Sequence, residues 1–174
     1  MLTNAAYRDW CHRLQLSEAA VADVTAIRQG QPVRRVAGGN ANVVGRYMSR
    51  KMGVSIQFES HKVELPFVIQ AEHDPRVLEY YDQPSTIPLR YAPGTGGRRQ
   101  ITARHTPDFF VIWPERAEWV ECKPEDVLIR LAEKNPNRYV RGPDGLWHCP
   151  PGEAYATALG LMCACPQLAR SSRL

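Results

Sequence analysis

Apolar positions along this chain change their spacing several times, and each change predicts a different element. Between residues 4 and 14, Ala6, Trp10 and Leu14 recur every fourth position, the stripe of an amphipathic helix. Ser17 is a helix-starting residue, Glu18 follows it in the first turn, and Val21, Val24 and Ile27 carry an apolar face until Gly30 and Pro32 stop it. Joined at Gln15 and Leu16, the two helices read as a hairpin that caps a domain. The alternative, a DNA-reading helix pair, lacks recognition-helix chemistry here. Residues 31–45 are rich in Gly and Asn and read as loop, with Arg34 and Arg35 exposed.

Residues 46–58 alternate weakly and predict a hairpin that turns near Arg50–Gly53. Arg46, Arg50 and Lys51 fall close together there, either as phosphate contacts or as a solvated basic face. Residues 59–73 predict a helix that is apolar nearly all round and therefore buried, with Ser60 able to cap it. Pro66 belongs in a first turn, which moves the start toward Lys62 or Val63. Glu64 is out of place in that segment, because a buried carboxylate costs several kcal/mol unless it is paired or binds a metal. A salt bridge to Lys62 or an arginine is the plain explanation.

Residues 76–82 read as a short extended piece closed by Gln83-Pro84, and Ile87, Leu89 and Tyr91 alternate as a half-buried strand. A turn at 92–97 leads to a returning strand that carries Arg98, Arg99 and Arg104 as exposed cations and candidate DNA contacts. Two aromatic and β-branched runs follow, Phe109–Trp113 and Trp119-Val120, separated by a polar break with Pro114; they predict an antiparallel pair. Beyond Lys123, Glu125–Lys134 is helical with Val127, Leu128 and Leu131 on one face. Tyr139, Val140 and Trp147 anchor a Pro- and Gly-rich loop or short strand, Glu153–Leu161 forms a last helix, and the tail from Met162 has no clear period.

The order of elements gives an α/β fold, a mixed α+β sheet flanked by helices. At 174 residues, with 44% hydrophobic and 23% charged positions, the chain is of ordinary domain size and globular composition. A net charge of +4 and a pI near 8.9 are compatible with a polyanionic partner. No run approaches a membrane span and no signal-peptide pattern opens the chain, so no membrane role is expected. Five irregularly spaced cysteines suggest reduced thiols in a cytoplasm. His148, Cys149, Cys163 and Cys165 have poor spacing for structural zinc.

The candidate chemistry lies at the mouths of the strand pair. Asp108 precedes the first strand, and Glu121 and Lys123 end the second, two apart and so on one face, with Cys122 pointing the other way. Two carboxylates about 4 Å apart repel by roughly 4 kcal/mol at an effective dielectric near 20, which calls for a metal or a lysine beside them. Mg²⁺ is bound through one or two carboxylates plus substrate phosphate, and a lysine one pleat on can orient water or offset phosphate charge. A surface strand pair with a chance Asp and a Glu/Lys salt bridge explains the bare spacing equally well.

Pro107-Asp108, a spacer of two strands, then Glu121-Cys122-Lys123 resembles the PD-(D/E)XK nuclease signature. With FESHKVELPFVIQAEHDPRVLEYYDQP before it and HTPDFFV and WVECKP around it, the stretch from about Tyr47 to Pro124 is similar to the N-terminal catalytic domain of TnsA-type transposon endonucleases. The resemblance implies a restriction-endonuclease-like core, preceded here by the helical hairpin, with a division into an extension at 1–45 and a nuclease domain at 46–174. It implies Mg²⁺, for which Mn²⁺ can substitute, held by Glu64, Asp108 and Glu121, with Lys123 as the fourth catalytic residue. The family accepts Gln where Glu121 stands. It further implies cutting of the non-transferred strand at the 5′ transposon ends in the bacterial cytoplasm, with a DDE-type transposase and an AAA+ regulator as partners. The rivals are a stand-alone restriction or repair nuclease of the same fold and a non-catalytic DNA-binding assembly subunit. Some members continue into a winged-helix-like domain for which this chain has no room after Pro124, and the divergent tail suggests a truncated end. Whether Gln83, His105 or Arg104 assist is left open by the sequence.

Overall fold

The computed structural model describes residues 1–34, 44–94 and 99–166. In chain order the elements are α1 (Asn4–Arg13), α2 (Glu18–Gln29), β1 (Gly45–Met48), β2 (Ser55–Phe58), α3 (Glu64–His73), β3 (Glu79–Asp82), β4 (Ile87–Tyr91), β5 (Ile101–His105), β6 (Phe109–Ile112), β7 (Ala117–Val120), α4 (Glu125–Lys134), β8 (Val140–Arg141), β9 (Trp147–His148), α5 (Pro150–Ala158) and β10 (Met162–Ala164). The central sheet has the order β10-β7-β6-β3, with β3, β6 and β7 antiparallel and β10 parallel to β7. Three antiparallel pairs, β1-β2, β4-β5 and β8-β9, surround it. This is a mixed α+β architecture with helices around sheets, compatible with the expected restriction-endonuclease-like fold.

The strand β6 explains why the sheet is central. All four of its residues are buried, and they alternate between two cores. Phe110 and Ile112 enter one cluster with Trp119, Leu128 and the buried faces of α1 and α2, while Phe109 and Val111 enter another with Val68, Tyr80 and Phe67 of α3. Full burial of Phe110 and Trp119 stabilises by roughly 2–3 kcal/mol each.

The cap predicted at Ser17 is present, and Thr3 supplies one for α1 that the sequence reading did not single out. Ser17 accepts from the Ala20 amide at 3.2 Å, and Thr3 does the same for Ala6 at 3.2 Å. In α1 the buried side is Tyr7, Trp10 and Cys11; of the expected stripe Trp10 is buried while Ala6 and Leu14 are half-buried at its edge. Trp10 Nε1 donates to the Trp113 carbonyl at 2.7 Å, and Arg28 of α2 pairs with Glu79 of β3 at 2.8 Å, so the helical hairpin is fixed to the sheet.

The predicted hairpin is β1-β2, whose turn holds Gly53 at φ 70°. Glu72 on α3 anchors it, accepting from Ser49 Oγ at 2.6 Å and from the Arg50 and Lys51 amides at 2.9 and 3.1 Å. The α3 helix starts at Glu64, with Pro66 in its first turn, and Ser60 caps the turn before it through the Lys62 and Val63 amides. It is not apolar all round in its setting: Ile69 and Gln70 are exposed, because only one face meets the sheet.

Three further expectations change. Val140 is exposed, and Tyr139 and Trp147 alone anchor their segment. The α5 helix begins at Pro150, three residues before the predicted Glu153, because prolines at the first helical positions lack only amides that a helix start leaves unbonded. The tail is structured through Ala164: β10 needs no period of its own because it borrows the ladder of β7.

Candidate active site

The ends of β6 and β7 set the site. Their register pairs Phe109 with Val120, and one further step brings Asp108 opposite Glu121. Asp108 is buried, and its Oδ2 accepts from the Cys122 amide at 2.7 Å. Its own carbonyl accepts from the Gln83 amide at 2.9 Å. Gln83 is buried and stands at φ 43°, a left-handed conformation that costs a non-glycine residue about 1–3 kcal/mol. Its carbonyl accepts from the Val33 amide at 3.0 Å and its side chain from Arg34 at 3.0 Å, and these bonds hold the conformation.

Glu121 follows β7, and its amide donates to the Ala164 carbonyl of β10 at 3.0 Å. Its Oε1 is ion-paired with Lys123 Nζ. Its Oε2 lies 3.0 Å from His105 Nε2, close enough for an ion pair but not aligned as a hydrogen bond, and is otherwise buried without a partner. Glu64, the first residue of α3, turns its Oε2 back to the Glu59 amide at 2.8 Å. All four residues line one open cavity of about 520 Å³, together with Arg34, Glu59, Arg104, His105 and Arg138.

The electrostatics are unbalanced. Burial pushes the Asp108 carboxyl well above the ordinary aspartate range, and the charges of Glu121 and Glu64 push it further against the pull of Lys123. Burial also raises Glu64, offset in part by the Glu59 amide. For Glu121 burial acts in the same sense, but His105 and Lys123 outweigh it and hold the carboxyl below its usual value. Burial alone would lower Lys123; Glu121 and Asp108 keep it above the ordinary lysine range and thus charged. Of the three buried carboxyls only Glu121 is ion-paired with the lysine, and burial holds Asp108 and Glu64 toward their protonated forms, so the site has a surplus of carboxyls over contacting cations.

That surplus suits a divalent cation. Among the described residues, no three Asp, Glu, His or Cys side chains stand close enough to enclose an ion by themselves. Mg²⁺ does not require it, since it keeps several waters and takes one or two carboxylates. Glu121 Oε2, which has no aligned hydrogen-bond donor, and the charge-crowded Asp108 supply hard oxygen donors of that kind.

Of the candidate DNA contacts, Arg104 lines the cavity and Arg99 is exposed. Arg98 and Arg35 lie outside the described residues. Arg46 and Arg50 are exposed on the β1-β2 hairpin and do not line the cavity. Lys51 is spent on structure: its Nζ donates to the carbonyls of Ala71 and Asp74 at 2.6 and 2.7 Å. Arg34 is exposed but bound, pairing with Glu59 at 2.9 Å. Sequence reasoning missed Arg138, which reaches the cavity from beyond α4 with no local motif to mark it. The cysteines are free thiols.

No helix among the described residues is long and apolar enough to cross a membrane. None of the curated proteins matches the chain. Residues 74–142, which contribute His105, Asp108, Glu121, Lys123 and Arg138 to the cavity, match the family described as TnsA-like endonuclease N terminal, and the chain is thereby similar to the TnsA-type nucleases in the part that builds this site.

Proposed function

We propose that this chain is a Mg²⁺-dependent DNA endonuclease of a bacterial transposition system, cutting the 5′, non-transferred strand at transposon ends together with a DDE-type transposase and an AAA+ regulator. The observation that carries the reading is the surplus of buried carboxylate in the cavity, at the positions of the PD and ExK residues, within a stretch similar to TnsA-like endonucleases. Asp108 and Glu121 would hold the metal, and Glu64 adds a third carboxyl to the lining. Mg²⁺, or Mn²⁺ in its place, supplies charge neutralisation on the phosphate and a more acidic water. Lys123, charged and one pleat from Glu121, faces the scissile phosphate and offsets its developing charge. In the hydrolysis the water oxygen bonds to phosphorus and the bond to one ester oxygen breaks. One water proton ends on that leaving oxygen and the other is released from the new phosphate terminus to solvent. Arg104, which lines the cavity, is the candidate contact for a backbone phosphate.

The test is cleavage of transposon-end DNA with Mg²⁺ or Mn²⁺, with and without the transposase, because such an enzyme can depend on the assembled complex. Cutting at the 5′ ends that is lost in Asp108→Ala and Lys123→Ala supports the reading. Equal cutting by those variants removes the site assignment. Cutting of unrelated DNA without any transposase, and failure to co-purify with one, would favour the stand-alone nuclease instead.

A further inference from the structure

Glu121 is approached at its second carboxylate oxygen by His105, and His105 in turn by Arg138, residues from distant parts of the chain. His105 ends β5, and its Nε2 is 3.0 Å from Glu121 Oε2. The other ring nitrogen, Nδ1, is 3.2 Å from Arg138 Nη2. Arg138 is itself confined between two rings, its guanidinium 5.8 Å from the centroid of Tyr91 and 5.2 Å from that of Tyr139. A guanidinium only donates hydrogen bonds. Nδ1 of His105 must therefore accept, which places the single proton of the neutral ring on Nε2, facing Glu121.

We propose that Arg138 and His105 are positioning residues for Glu121. Arg138 fixes the His105 tautomer, and His105 presents its Nε2 proton to Oε2, so that the carboxylate is held with Oε1 toward Lys123. Outer contacts of this kind orient metal-binding carboxylates, and losing them costs about 10–100-fold in metal affinity or activity. The Nε2–Oε2 contact is short but off the hydrogen-bond direction; such contacts commonly tighten only in a loaded site. The orienting role rests on the nuclease reading of Glu121, whereas the tautomer does not.

Long-range ¹H–¹⁵N NMR of the imidazoles, in metal-free protein at alkaline pH, tests the first half. His105 is expected as the Nε2–H tautomer in the parent and as a mixture in Arg138→Met, which keeps the aliphatic stem but removes the donor. An Nδ1–H tautomer in the parent, or an unchanged tautomer in Arg138→Met, overturns the proposal. If Arg138→Met does not fold, the parent spectrum decides alone. The second half is read by Mn²⁺ titration calorimetry and by cleavage kinetics. His105→Ala and Arg138→Met should each weaken Mn²⁺ binding or lower kcat about 10–100-fold with KM for DNA near the parent value. The double variant should be little worse than either single one, as for residues that act as a unit. His105→Gln, whose amide can accept from Arg138 and donate to Glu121, should recover most of the loss; a Gln variant no better than Ala sinks the proposal. If no protein in the series cleaves transposon-end DNA even with the transposase present, the nuclease reading fails, while the tautomer and Mn²⁺ results still judge the contact.

Discussion

Glu79 and Glu121 are both buried acids on the same central sheet, yet the protein treats them in opposite ways. Glu79 has a full set of partners: Arg28 at 2.8 and 3.0 Å, the Tyr81 hydroxyl at 2.5 Å and the Leu2 amide at 2.6 Å. Burial would raise its pKa, but those partners hold it below the usual carboxylate range. Glu121 shares its surroundings with Asp108 and Glu64, has one oxygen without an aligned donor, and leans on one lysine. Folding has neutralised the first acid with a guanidinium, a hydroxyl and a backbone amide. Around the second it has gathered carboxyls without matching cationic contacts, at a cavity open to solvent. A buried charge that is fully paired reads as structure, and one left in surplus reads as a place kept for a ligand.

Substitutions can break that contrast at either end. The largest effect is expected at the surplus: Asp108→Ala or Lys123→Ala should lower cleavage by about 10³-fold or more while chemical denaturation stays near the parent curve. A variant that unfolds instead would place these residues on the structural side of the contrast. The mirror experiment is Arg28→Met, which leaves Glu79 buried and unpaired. It should cost about 3–5 kcal/mol in urea unfolding, with cleavage per folded molecule retained at low temperature.

Next in size is the effect of Mg²⁺ on stability. At a hundredfold excess over its Kd the ion should add about 2.7 kcal/mol, and nothing in Asp108→Ala. The sign with pH follows from Asp108. Its folded pKa is raised, so the folded protein keeps a proton that the unfolded chain has lost. Stability without metal then falls as pH rises from the ordinary aspartate value into the raised range, and the Mg²⁺ benefit grows over that window. Thermal melts across pH, with and without Mg²⁺, read both terms.

The smallest effect sharpens the contrast with a third acid. Glu72 is held at a pKa of about 2, because the bonds from Ser49, Tyr80 and the Lys51 and Arg50 amides outweigh its desolvation. Its contribution is present above the ordinary glutamate value and is lost as pH falls toward 2. Glu72→Gln should cost about 1–2 kcal/mol at neutral pH, and the gap to the parent should close in acid denaturation.

Much of this arrangement is legible in the sequence because it depends on local rules. The caps at Ser17 and Gly30, the alternation of Ile87, Leu89 and Tyr91, and the aromatic pair of β6 and β7 are short-range signals. Glu64 is conspicuous because its segment has no structural need for a carboxylate, and it opens α3 at the cavity wall. What the sequence hides depends on distance. Arg138 is recognisable only once β5 has carried His105 to it. Lys51 looks like a free surface cation until the end of α3 supplies two carbonyls to bind. The aperiodic tail gives no hint of β10, because a parallel edge strand takes its register from its neighbour.

That edge strand has a consequence in time. The backbone amide of Glu121 is bonded to Ala164, so the residue at the centre of the cavity is secured by a segment synthesised more than forty residues later. During translation Asp108, Glu121 and Lys123 leave the ribosome well before the strand that fixes them. A nascent chain therefore presents these three side chains before the β10 bond to the Glu121 amide exists. That bond forms only when Met162–Ala164 has emerged and zipped onto β7.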